Sequence, residues 1–193
     1  MKKQSILFFA ALVISVSAAA QTTWVEDPMH SKLGFTVTHL GIADVSGFFS
    51  QYDVTITASK ADFSDAVIEL TADVKSVNTQ VEQRDNHLRS PDFFDIGKYP
   101  ELTFRSTSIK KLRDNRYELT GDLTIHGQTR EVKVEMWHRG TTSNPNADGA
   151  PVAGIQITGS IKRSDFGIGP GFPPPMISDE VRIKADGEFG QRK

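Results

Sequence analysis

Tyr117–Met136 reads YELTGDLTIHGQTREVKVEM. Tyr117, Leu119, Gly121, Leu123 and Ile125 alternate with Glu118, Thr120, Asp122 and Thr124. A period of two puts the first set on one face of a strand and the second on the other. Val132, Val134 and Met136 then alternate with Lys133, Glu135 and Trp137, and His138 follows on the inner parity. Between the runs stands His126-Gly127, a two-residue turn of the kind that joins antiparallel neighbours. The stretch is a hairpin with one apolar and one polar face.

Outward from this hairpin the pattern recurs in both directions. Leu33, Phe35 and Val37 share a face, with His39 next on it. Val45–Thr57 is long and changes phase beside Gly47, which suggests a bulge. Ile68, Leu70, Ala72 and Val74 set a third strand, and Leu102 and Phe104 a fourth from Glu101 to Ile109. Ile155, Ile157, Gly159 and Ile161 set a seventh, followed by Arg163; Val181, Ile183, Ala185, Gly187 and Phe189 set an eighth. Thr22–Asp27 is a short extended lead with Trp24. Gly41–Asp44, Ser59–Asp65, Lys110–Asn115 and Gly140–Pro151 are polar turns and loops. Gly167–Pro175, GIGPGFPPP, is a stiff exposed loop, neither strand nor helix.

The fold class is therefore all-β, with about eight antiparallel strands, each apolar on one face. Eight is the number at which a closed barrel is just wide enough to be filled by side chains or to hold one small ligand. A two-sheet sandwich carries the same pattern and is the alternative.

Asn78–Phe104, between strands three and four, breaks the alternation. Thr79 and Glu82 have capping-box spacing. Ser90-Pro91-Asp92 is a second start signal, with a Ser N-cap, Pro at the first position and an acid in the first turn. One or two short helices are expected. Their apolar groups, Val81, Leu88, Phe93 and Phe94, are too few for a core of their own. The insert is a plug over a barrel end, or also the mouth of a ligand site. If consecutive strands run up and down, strands one, three, five and seven end at one rim. That rim receives Gly41–Asp44, the insert, His126-Gly127 and Gly167–Pro175, while the other three connectors go to the opposite rim.

The candidate inner wall is Leu33, Phe35, Val37, Leu102, Phe104, Leu119, Leu123, Val134, Met136, Ile155, Ile157 and Ile183. These side chains either surround a cavity or meet and fill the barrel; both need the same alternation. Inward glycines, Gly47, Gly121, Gly159 and Gly187, make room or let strands coil. At the mouth, His39, Arg84, His87, Arg89 and Arg163, with Phe93 and Phe94, are candidates to meet a polar head group, since an Arg fork suits phosphate or carbonyl oxygen. For the charged residues the alternative is solvation, or pairing with Asp85, Asp92, Asp95 or Asp165.

The 193-residue chain begins with a leader pattern: Lys2 and Lys3, an apolar run from Ile6 to Val16, then Ala18-Ala19-Ala20. Residues 1–20 are expected to be a secretory signal peptide cleaved after Ala20, leaving residues 21–193 as one domain, secreted and in a bacterial periplasm. No later segment approaches the ~20 apolar residues of a membrane span. There is no Cys, so the domain is held by its core. The formal charge of −2 becomes −4 once Lys2 and Lys3 are lost. A well-mixed, mildly acidic chain is no partner for nucleic acid.

Four segments resemble the YceI-like family of exported bacterial proteins: DPMHSKLGFTVTHLGIADVSGFF, SVNTQVEQRDNHLRSPDFFDIGKYPELTFRS, LTGDLTIHGQTREVKV and the run around RSDFGIG. They span nearly the whole mature chain in the expected order. The resemblance implies a lipocalin-like barrel of eight antiparallel strands with a helix covering one side or end. It implies binding of polyisoprenoid or another long amphipathic chain, a quinone for example, inside the barrel, and no established enzymatic activity.

The residues agree with that implication. There is no Cys nucleophile, no G-x-S-x-G elbow and no H-E-x-x-H spacing. No catalytic residue, metal or cofactor is expected. The reading is a non-catalytic carrier of one long-chain lipid. The alternatives are an interaction or stress-response scaffold with a filled barrel, and a hydrolase or isomerase acting on an isoprenoid. An open sheet edge would let two copies pair as a homodimer.

Overall fold

The computed structural model describes residues 20–192. The expected leader, save Ala20, lies outside the described residues. The strands are β1 (Thr22–Glu26), β2 (Lys32–His39), β3 (Ala43–Phe49), β4 (Tyr52–Ala58), β5 (Val67–Asp73), β6 (Val77–Asn78), β7 (Glu101–Arg113), β8 (Arg116–Ile125), β9 (Gln128–Asn144), β10 (Ala150–Lys162) and β11 (Glu180–Gln191). One α-helix, α1 (Glu82–Arg89), lies between β6 and β7.

All pairings are antiparallel, and the order β1-β4-β5-β7-β8-β9-β10-β11 closes through β1–β11. β2 and β3 continue β1 and β4 beyond breaks in the chain, since β11 pairs with both β1 and β2, and β3 pairs with β2. β6 continues β5 and pairs with β3. The result is a closed barrel of eight staves, which excludes the sandwich. Closure also removes the edge-to-edge route to a homodimer that an open barrel would offer.

The extended lead is in fact β1. Its ladders to β4 and β11 make it the stave that closes the ring. The phase change falls at Ser50-Gln51, not beside Gly47. Inward positions 45, 47 and 49 give way to 52, 54 and 56 there, and the break is tied across to the matching break after β5. Ser50 N–H donates to Ser76 O at 3.2 Å, and Gln51 N–H to Ser76 Oγ at 3.0 Å.

The hairpin at the heart of the sequence forms as read. His126 (φ +51°) and Gly127 (φ +69°) make its turn, the left-handed pair that a two-residue hairpin needs. Two polar connectors are shorter than expected. β7 runs on to Arg113, so the turn is Asp114-Asn115, and β9 runs on to Asn144, so the loop before β10 is residues 145–149. Thr141, Thr142 and Ser143 suit an exposed ladder as well as a loop, and they pair with Ala153, Val152 and Pro151 respectively.

The capping box does not form. Thr79 N–H donates to Asp85 Oδ1 at 2.8 Å, and the Thr79 hydroxyl is shared by Asp85 and Arg84. Asn78 Oδ1 takes the Gln80 N–H at 2.8 Å, with Gln80 at φ +66°. An Asx turn with a left-handed residue cannot continue into a helix, so α1 starts at Glu82 behind Val81. Among the described residues the insert forms no second helix. Ser90 ends α1, its Oγ donating to His87 O at 2.8 Å, and residues 91–94 are turns.

The inward glycines do not leave open space. A Cβ at Gly47 would stand 2.4 Å from the Phe35 ring, and one at Gly121 would stand 2.5 Å from the Phe104 ring. Neighbouring rings already lie over them.

Candidate functional site

The barrel has two storeys. The lower one is filled. Trp24 and Phe63 have ring centroids 5.2 Å apart, and Phe63 lies 4.7 Å from the His138 ring. The Tyr117 hydroxyl donates to Asp62 O at 2.6 Å. Leu119 and Met136 are fully buried in this floor. The plug comes from Ser59–Asp65, which is more than an ordinary polar connector. Asp65 folds it by accepting from Ser59 N–H and Lys60 N–H, and Phe63, 1 % exposed at φ +60°, points inward. A lone Phe in a polar run was the only signal. His138 is sealed here with Nδ1 unpartnered, and burial pushes its imidazole below the usual histidine range.

The upper storey is open. It holds a cavity of about 510 Å³, within the range of small-molecule sites. Ten of the twelve candidate wall residues line it: Leu33, Phe35, Val37, Leu102, Phe104, Leu123, Val134, Ile155, Ile157 and Ile183. Leu119 and Met136 do not; they sit one storey down. The sequence could not separate the two storeys, because both use the same parity.

The four elements of the shared rim come together. Leu40 N–H donates to Met176 O at 3.1 Å, and His126 Nδ1 lies 3.1 Å from Phe166 O. The His87 ring stands edge-on to Phe93 and Phe172 at 5.0 and 5.3 Å, and Phe93 stacks on Phe172 at 4.9 Å. The insert and the Gly167–Pro175 loop thus meet in one aromatic cluster over the cavity. The loop is not wholly exposed, since Ile168 and Gly169 are buried beneath it.

The mouth candidates divide. His39, Arg84, His87, Phe93, Phe94 and Arg163 border the cavity; Arg89 does not. Arg89 instead ties the insert to the barrel, donating to Lys75 O and Val77 O, both at 2.8 Å. Arg163 is 6 % exposed. Its Nε donates to Ser178 O, its Nη1 to Ile168 O and Gly169 O, and its Nη2 to Phe172 O and Ile177 O. All five donors of the guanidinium are engaged, so Arg163 clamps the loop and offers a head group nothing. Arg84 spends Nε and Nη2 on Thr79 and keeps Nη1 without a hydrogen bond among the described residues. His87 Nε2 lies 2.9 Å from Asp92 Oδ2. Of the charged mouth candidates, His39, Arg84 and His87 border the cavity without being consumed in the loop clamp or the tie of the insert to the barrel.

Polar lining residues were missed: Ser31, Lys32, Thr79 and Asp186, and above all Glu26 and Tyr52. Glu26 is 8 % exposed, and its Oε2 accepts the Val54 N–H at 2.9 Å. Burial pushes its carboxyl above the usual glutamate range, with the Asp53 charge adding to it, against the pull of backbone N–H groups. Burial also raises the Tyr52 phenol, and the Glu26 charge adds to that. The shared parity of Trp24 and Glu26 is the available signal, and a five-residue strand is too short for the alternation to stand out.

A raised carboxyl has a definite sign. Its contribution to stability is present below its unfolded value near 4.5 and is lost as pH rises through the raised value in the fold. Glu26→Gln keeps an acceptor for Val54 and removes the charge. At pH 7 it is expected to raise Tm by about 2–4 °C, equivalent to ~1 kcal/mol at this size, with the gain fading as pH falls toward ~4.5 and gone below it. Paired melting curves from pH 4 to 8 check this. A variant that melts lower at neutral pH contradicts it.

Outside the barrel, Asp27, His30 and Glu188 hold ligand atoms within 4.8 Å of one another. His30 Nδ1 is 2.8 Å from Asp27 Oδ2 and Asp27 Oδ1 accepts from Met29 N–H, the pattern of a surface turn.

Comparison with known proteins agrees with this architecture. The model of the YceI-like domain matches residues 24–189. UPF0312 protein SA2479 of Staphylococcus aureus is 35% identical over 174 residues, covering 87% of this chain and 97% of that protein. The crystal structure of Campylobacter jejuni YCEI protein superposes with a TM-score of 0.74 at 31% identity, covering 81% of this chain and 90% of that one. Burkholderia cenocepacia BcnA gives 0.74 at 27% identity, covering 84% and 98%. A polyisoprenoid binding domain from Saccharophagus degradans gives 0.62 at 16% identity, covering 88% and 98%, a likeness of fold.

Proposed function

Because the chain belongs to the YceI-like family and encloses an apolar cavity beneath an aromatic mouth, we propose that it is a non-catalytic carrier that sequesters one long-chain amphipathic lipid, a polyisoprenoid, quinone or similar. The carrying observation is the cavity itself: about 510 Å³ walled by aliphatic and aromatic side chains above a sealed floor. Burial of an alkyl chain is worth ~0.8 kcal/mol per methylene. About fifteen methylenes therefore supply on the order of 12 kcal/mol before the costs of association, so binding needs no strong polar contact.

His39, Arg84 and His87 border the opening and suit an anionic or carbonyl-bearing head group. Leu40, Ile42 and Met176 stand exposed at the rim, Ile42 at 85 %. A chain leaving a bilayer would enter there. The leader pattern of residues 1–20 supports export to the periplasm, where moving a lipid through water is the physical problem such a cavity solves. The Saccharophagus domain is described as polyisoprenoid binding. Its likeness to this chain is one of fold, so the ligand class rests on the cavity.

Native mass spectrometry of protein purified from its own compartment tests the reading. A single adduct of discrete mass, lost on denaturation and recovered by organic extraction, is the expected result. Bare protein that also fails to take up added prenyl alcohols or quinones contradicts it and favours a scaffold role for the mouth loops.

A further inference from the structure

The cavity is not apolar throughout. Glu26 lies two residues along β1 from Trp24, the ring that covers the floor. It is therefore deep in the upper storey, far along the chain from the mouth residues at the end of β2. It is more than nine-tenths buried and borders the cavity. One carboxyl oxygen is held by Val54 N–H. Glu26's own backbone N–H also bonds the carboxyl, and no side chain donates to it among the described residues. A carboxyl bordering the cavity thus keeps acceptor capacity for a donor there. Tyr52, on the same inward parity as Val54, borders the cavity close enough for Glu26's charge to act on it.

A carboxylate placed against hydrocarbon is costly unless something donates to it. We propose that Glu26, with Tyr52 beside it, is an interior polar station that accepts a hydrogen bond from a neutral donor on the bound chain, a hydroxyl or an amide N–H, and excludes a carboxylate from that depth. This rests on the carrier reading and specifies its ligand. The two polar stations differ in sign. The mouth offers cationic and N–H donors; the interior offers an acceptor. A chain ending in an alcohol or amide is held with that end inward, while a chain ending in phosphate or carboxylate keeps its charged end at the mouth. Orientation in one tunnel is thereby chosen by head-group chemistry.

The test compares cetyl alcohol with its methyl ether, delivered from cyclodextrin to delipidated protein. The two share one chain and one oxygen, and only the alcohol donates. The wild type is expected to bind the alcohol about tenfold more tightly or better, as for a hydrogen bond to a charged acceptor. In Glu26→Leu the two ligands should agree within about twofold. Glu26→Gln keeps the Val54 bond, guards against misfolding, and should narrow the preference to below about threefold. Equal binding of alcohol and ether by the wild type overturns the station and leaves the carrier reading standing. So does a preference that survives both substitutions. Failure of the wild type to bind either ligand overturns both.

Discussion

Replacing Ile157 and Ile183 together by Trp is expected to weaken binding of a long-chain lipid by about 200-fold. Both side chains are half-buried and border the cavity. They sit one step apart on β10 and β11, where Gly159 pairs with Ile183 and Ile157 with Ala185. Two indoles there displace on the order of four methylenes of ligand, or ~3 kcal/mol. Empty space takes up the added rings, so the melting temperature should hold within a few degrees. Leu119→Trp is the contrast. That side chain is in the filled floor, where overpacking costs about 1–3 kcal/mol of stability. Lipid titration and melting curves on both variants check the division into storeys. Equal loss of binding in the two contradicts it.

Arg163→Ala is expected to give the largest loss of stability of any single substitution at the mouth. The guanidinium gathers five carbonyls between Ile168 and Ser178. Gly169 lies so close beneath Phe93 that a Cβ would stand 2.8 Å from the ring. Loss of the clamp releases the loop, and with it the Phe93–Phe172 stack over the cavity. A broken buried network of this kind costs on the order of 3 kcal/mol, a fall in Tm of about 6–12 °C at this size. Arg163→Lys should recover less than half, because an ammonium offers three donors from one point where the fork offers five. A fall under ~2 °C for the Ala variant would show that the loop holds itself.

Strand parity carried most of the fold. In Tyr117–Ile125 each side chain lies where a period of two puts it, and the same holds from Ile155 to Ile161. What parity could not show was depth. Leu119 and Leu123 read alike, yet one is floor and the other is wall, because Phe63 and Trp24 reach in from distant segments to fill one end. Local rules misled where a tertiary partner competed. Thr79 had capping spacing, but Asp85 and Arg84 took its hydroxyl. Ser90 had an N-cap's company, but it ends the preceding helix. Arg163 read as a ligand fork because its charge was visible and the carbonyls of the following loop were not. Glu26 escaped notice for a plainer reason: five residues of lead are too short to show alternation, and their pairing with β4 and β11 is set by distant chain.

A chain-length series measures the central claim most directly. Straight-chain primary alcohols are titrated into delipidated protein, and the dissociation constant is followed as methylenes are added. A one-to-one complex whose affinity rises about fourfold per methylene, then levels once the cavity is full, is the result expected of an enclosed apolar tunnel. Affinity without chain-length dependence, or uptake that does not saturate at one chain per protein, would contradict it.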